Sequence, residues 1–104
     1  MIKKNLLLVP GKNKISIINT EEYKLVRTIE VPNSNLIRGV CLINKDMLLS
    51  GDSEKTIKQW RIEGDNLNLM SKKEKAHDSG IIVLLNLGNG FVASGSDDYT
   101  IKIW

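Results

Sequence analysis

A chain of 104 residues has the length of one small domain, and an apolar content of 41% excludes disordered and collagen-like classes. The net charge of +3 comes from lysines scattered beside acids. No basic block concentrates positive potential, so the charge pattern gives no support to nucleic-acid binding. Cys41 is the sole cysteine, which rules out an internal disulfide and fits a reducing compartment. The apolar run from Leu6 to Val9 is shorter than the ~7–15 residues of a signal peptide. That from Ile81 to Leu85 is far shorter than the ~20 that span a bilayer. The expected location is the cytoplasm, with the nucleus as the alternative.

Taken in chain order, short apolar runs and period-two alternation predict ten strands. Residues 5–9, 14–19 and 23–31 give three. Residues 36–43, 46–51, 55–62 and 66–72 give a set of four. Residues 80–87, 91–95 and 99–104 give three more. Asn-Lys-Asp at 44–46 and Gly-Asn-Gly at 88–90 stand where hairpin loops are needed. Gly-Asp-Ser-Glu-Lys and Gly-Ser-Asp-Asp-Tyr supply the residues of tight turns. No stretch carries a helical period, so the chain reads as all-β.

The strands repeat. LLSGDSEKTIKQW ends at Trp60 and VASGSDDYTIKIW at Trp104, an offset of 104 − 60 = 44. The same offset pairs Ser50 with Ser94, Thr56 with Thr100, Ile37 with Ile81 and Asn33 with His77. A worn copy, LLLVPGKNKISII, lies near the start, with Ile18 in the tryptophan position and an offset of 60 − 18 = 42. Leucine-rich, ankyrin and tetratricopeptide repeats are shorter, at ~20–34 residues, and HEAT or armadillo repeats need long helices.

Residues 76–104, AHDSGIIVLLNLGNGFVASGSDDYTIKIW, resemble the repeat unit of the WD-repeat β-propeller family. Residues 33–60 resemble it more loosely and residues 5–31 only in outline. The resemblance implies an incomplete propeller of about two and a half blades, each blade a four-stranded antiparallel sheet. It divides the chain into a degenerate partial blade (5–31), a middle blade (36–72) and a last blade lacking its outer strand (77–104). Propellers close with ~4–8 blades, so the chain is expected to be a fragment of a longer protein. The rival expectation is a short chain that closes by self-association.

The resemblance also assigns a structural tetrad to His77, Ser94, Asp98 and Trp104. The chemistry suits a hydrogen-bonded chain: Asp accepts, indole N–H donates, and imidazole and hydroxyl do both. In the middle blade the corresponding residues are Asn33, Ser50, Glu54 and Trp60. There the polar set is degenerate, because Glu is one methylene longer than Asp. No second His or Cys exists to complete a metal or catalytic site around His77. Neither GxGxxG, Walker nor nucleophile-elbow spacing occurs, so no enzyme activity, cofactor or metal is expected.

Fold alone does not fix function. The resemblance implies rigid, loop-built faces that hold peptides and proteins, hence a scaffold or adaptor role with protein partners. Candidate contact residues are Asp52, Ser53, Lys55, Asp97 and Tyr99 in the turns, with Arg38 and Ile82 at the channel mouth. Arg38 and Tyr99 lead, because interfaces favour Arg and Tyr anchors. Two alternatives are a propeller appendage of an enzyme, such as a kinase or ubiquitin-ligase subunit, and a basic surface for RNA or lipid headgroups.

Overall fold

The computed structural model describes residues 6–31, 36–64 and 66–104, in ten strands with no helix. In order these are β1 (Leu6–Gly11), β2 (Lys14–Asn19), β3 (Lys24–Glu30), β4 (Ile37–Asn44), β5 (Met47–Asp52), β6 (Ile57–Glu63), β7 (Asn66–Lys73), β8 (Ile81–Gly88), β9 (Phe91–Ser96) and β10 (Ile101–Ile103). Each of the ten strands expected from alternation is present, its ends within two residues of the expected place.

Each strand pairs antiparallel with its chain neighbour, giving three separate sheets in the orders β1-β2-β3, β4-β5-β6-β7 and β8-β9-β10. Tight turns make this possible. Asn44 Oδ1 accepts the Asp46 amide at 2.8 Å, and Asn86 Oδ1 accepts the Gly88 amide at 2.8 Å. Gly88 and Gly90 both sit at φ 85°, in the left-handed region open to glycine at little cost. The Gly-Asn-Gly loop is thus a conformational requirement of the β8–β9 hairpin.

The sheets stack face to face, and alternation decides which side chains lie between them. In β2, Ile15 and Ile17 point inward and join Ile29 and Val31 from the first sheet. Opposite them stand Ile37, Leu48, Trp60 and Leu67 of the second sheet. The other face of the second sheet presents Ile57, with Cys41, Ile43 and Leu49 beside it. These meet Ile81, Leu84 and Val92 of the third sheet and Ala76 from the connection that leads into it. Fully burying one such aliphatic side chain stabilises by roughly 1.5–3 kcal/mol, so these two layers hold the sheets together.

The contacts are repeats of each other. Adding 44 to Ile37, Val40 and Leu48 gives Ile81, Leu84 and Val92, which occupy the corresponding face of the next sheet. The second sheet is therefore covered on both faces. The innermost strands β4 and β8 run side by side, so close that a Cβ on Gly39 would lie 3.0 Å from the Val83 and Leu84 backbone. On Gly51 it would lie 2.4 Å from Ile81 Cγ2. Glycine at these two positions is what lets the inner ends converge.

Candidate functional site

The turn between β9 and β10 is built from its own side chains. Ser96 Oγ donates to the Gly80 carbonyl at 2.9 Å and accepts the Asp98 amide at 3.1 Å. Asp98 Oδ1 accepts the Thr100 amide at 2.8 Å and the Thr100 hydroxyl at 2.5 Å. Tyr99, between them, takes φ 68°. A non-glycine residue in that region is uncommon, and the surrounding hydrogen bonds fix it there.

Behind this turn the four expected residues meet. Trp104 Nε1 donates to Ser94 Oγ at 2.8 Å, and Ser94 Oγ lies 2.7 Å from His77 Nε2. His77 Nδ1 lies 3.2 Å from Asp98 Oδ2 and 3.0 Å from Thr100 Oγ1. Donor roles follow in one direction. Indole only donates, so the Ser94 lone pair receives it and the serine proton passes to His77 Nε2. His77 Nδ1–H then points at Asp98 and Thr100. The chain of donors is complete with a neutral imidazole, and His77 is 1% exposed.

Asp98 also accepts the Asp78 backbone amide at 3.0 Å. The Thr100 hydroxyl holds the Asp98 carboxyl well below the usual carboxylate range, with help from the Asp78 and Thr100 amides and from His77. Desolvation opposes that shift without cancelling it. Thr100 is a member of this network that the residue pattern alone did not supply.

In the second sheet only part of the arrangement survives. Trp60 Nε1 donates to Ser50 Oγ at 2.8 Å, and both side chains are buried. Asn33 lies outside the described residues. Glu54 is exposed, and its place in the turn is taken from two residues upstream. Asp52 Oδ1 accepts the Glu54 amide at 2.9 Å and the Thr56 amide at 3.1 Å. One buried carboxylate thus does what Ser96 and Asp98 share in the third sheet. This corrects the reading of Asp52 as a surface contact residue: at 3% exposure, it is spent on its own turn.

The remaining contact candidates gather along one rim. The Arg38 guanidinium reaches from β4 to the Asp97 carboxylate after β9, at 3.0 Å, joining neighbouring sheets. Both side chains stay close to half exposed. Ile82 is 38% exposed beside buried Ile81, and Tyr99 is 98% exposed. Lys55 is exposed at φ 72°, matching Tyr99 in the equivalent turn. Ser53 is half-buried, donating its amide to the Leu36 carbonyl at 3.0 Å and lying against Gly80. The turns are tied down by backbone hydrogen bonds: the Ala76 amide, on the way into the third sheet, donates to the Lys55 carbonyl at 2.9 Å, and within the third sheet the Asp97 amide donates to the Gly80 carbonyl at 3.1 Å.

Residues 70–104 match the family model described as WD domain, G-beta repeat. The chain carries a WD repeat. His77, Ser94, Asp98 and Trp104 all fall inside the matched segment. In fold, the chain is similar to one in the structure reported as "Crystal Structure of Mitotic Checkpoint Complex". The TM-score is 0.69 at 17% identity, over 96% of this chain and 32% of that one. The chain thus spans about a third of the length of that neighbour, and the likeness at this identity is one of fold. No curated protein matches its sequence. The three stacked antiparallel sheets are arranged as blades of a partial propeller, and the matched segment runs from the end of β7 through the third sheet. Among the described residues no helix is long and apolar enough to cross a membrane, and no three of His, Cys, Asp and Glu are grouped to hold a metal ion.

Proposed function

We propose that this chain is a protein-binding scaffold segment of a larger cytoplasmic propeller, without catalytic chemistry of its own. The observation that carries the reading is the rim ion pair between Arg38 and Asp97, which spans two blades beside exposed Ile82 and Tyr99. Arg and Tyr are favoured interface anchors. Here Arg38 is held by its ion pair with Asp97 and Tyr99 by the hydrogen bond from its amide to the Ser96 carbonyl, so little ordering is left for the moment of binding. The place within a larger propeller is supported by the flank of the third blade that faces away from the second. Leu85, Ile101 and Ile103 are more than half exposed there, whereas their counterparts Cys41, Ile57 and Gln59 lie at least partly covered on the second blade.

The test is affinity capture from cell extract, comparing the chain with its Arg38→Ala and Tyr99→Ala variants. Discrete proteins held by the parent should be lost from both variants, while circular dichroism and the thermal midpoint stay unchanged. Capture that survives both substitutions would remove the rim from consideration. Capture abolished uniformly by moderate salt would point instead to a diffuse basic surface.

A further inference from the structure

The loop between β8 and β9 rests on a residue pair that serves the turn and endangers it. Asn89 stands at φ 55° and Gly90 at φ 85°, and Gly88 pairs with Phe91 across them. Positive φ at both central residues of a two-residue hairpin loop is what Asn-Gly supplies best. The same pair leaves an asparagine side chain most open to attack by its own backbone. Gly90 has no side chain to shield its nitrogen, and a Cβ built there would meet nothing within 4 Å. Both residues are exposed. Among the described residues, neither the Asn89 carboxamide nor the Gly90 N–H takes part in a hydrogen bond. Asn89 is also the one asparagine of the chain that glycine follows.

The loop is fastened to the neighbouring blade through Asn86. Its Oδ1 accepts the Gly88 amide at 2.8 Å, spanning the irregularity in register between Asn86 and Gly88. Its Nδ2 donates to the Leu42 carbonyl at 2.9 Å and lies 3.4 Å from that of Ile43. Leu42 and Ile43 belong to β4 of the second blade. One carboxamide thus clasps the loop with its oxygen and the next blade with its nitrogen.

We propose that Asn89 is a self-acting modification site whose conversion opens this clasp. The Gly90 nitrogen gives its proton to a base in solution, and its electron pair attacks Cγ of Asn89. The Cγ–Nδ2 bond breaks, and ammonia leaves with a proton taken from solvent. A succinimide ring remains, which water opens at either carbonyl. Breaking the new Cγ–N bond leaves aspartate. Breaking the original peptide bond leaves isoaspartate, whose main chain runs through Cβ and Cγ. Either way water has replaced ammonia, with no change in oxidation state. The isoaspartate form carries one extra carbon in the backbone of a two-residue loop. Loop length sets hairpin register, so Gly88 and Phe91 lose their alignment and the Gly88 amide is drawn off Asn86 Oδ1.

The test incubates the isotope-labelled full chain at pH 6 and pH 8. Peptide mass mapping follows conversion, and isoaspartyl methyltransferase labelling separates the two products. Asn89 should convert at least tenfold faster than Asn13, which shares a positive φ of 61° but precedes Lys14. It should convert faster at pH 8, because the attacking nitrogen must lose its proton. In the isoaspartate form the Asn86 side-chain amide protons should exchange at least tenfold faster by NMR. Asn89→Gly keeps the backbone conformation and removes the reacting group, so that chain should stay unmodified with the clasp closed. Asn89→Asp adds the charge without the extra carbon and should also keep the clasp. Conversion no faster than at Asn13, or seen only in urea, would overturn the site. A clasp that stays closed in the isoaspartate form, or opens as far in Asn89→Asp, would overturn the consequence drawn for Asn86.

Discussion

Trp60 and Trp104, 44 residues apart, each donate an indole N–H at 2.8 Å to a serine ten positions earlier. The bond is the same in both blades, but what lies behind it differs. Ser94 continues to His77 and Asp98, whereas the corresponding acid in the second blade has left the network. Ser50→Ala should strand the buried Trp60 indole and destabilise by about 1–3 kcal/mol. Ser94→Ala should cost more, because it strands the buried His77 Nε2 as well. Urea unfolding of the two variants decides the point, and a smaller loss at Ser94 would refute the directional chain.

Acid should loosen the third blade through Asp98. Its carboxyl titrates lower in the folded chain than its unfolded value of about 3.9. A depressed carboxyl contributes stability that is fully present above the unfolded value and lost as pH falls through the folded one. The window is therefore below about pH 4. Asp98→Asn should be less stable than the parent at pH 6, and the gap should narrow steadily on acidification. Thermal midpoints measured from pH 6 to pH 2 test this. A gap independent of pH would mean that the charge of Asp98 is not what the Thr100 hydroxyl and backbone amides recognise.

In the second blade the turn should depend on Asp52 and not on Glu54. Asp52→Ala leaves the Glu54 and Thr56 amides without their acceptor, at a cost of about 1–3 kcal/mol. Glu54→Gln changes an exposed side chain and should stay within about 0.5 kcal/mol of the parent. Equal effects in chemical denaturation would contradict the assignment.

Cys41 should react slowly. It packs against the layer between the second and third blades, where burial pushes its thiol up to about 11. The thiolate is the reactive species, so little is present near neutral pH. Iodoacetamide at pH 7.5 should label the native chain at least tenfold more slowly than the chain in urea. Equal rates would mean that this layer opens readily.

Much of the strand order and of the His77 network is legible in the residues alone. Alternation in Lys14–Asn19 and the offset of 44 placed the strands, because a half-buried strand must repeat every second residue. The tetrad around His77 followed from the near-consensus last repeat. The burial of Asp52 is not legible from its turn, since a turn acid facing water and one facing its own amides have the same sequence. A clue was present: Ser50 and Asp52 are two apart, so a buried Ser50 directs Asp52 to the same side. The Arg38–Asp97 pair had no such clue, because its partners are 59 residues apart and belong to different sheets.

The coverage of the second blade on both faces bears on how this chain tolerates change. Its polar set is the eroded one, with an exposed Glu54 where the third blade has Asp98. Yet its Leu48, Trp60 and Ile57 are held by neighbours on either side. Dispersion and burial from two flanks there substitute for a hydrogen-bonded relay. The third blade leans on a single neighbour among the described residues and keeps its relay intact. Trp60 and Trp104 are thus held chiefly by different means, one by apolar layers on both faces of its sheet and the other by a relay of hydrogen bonds.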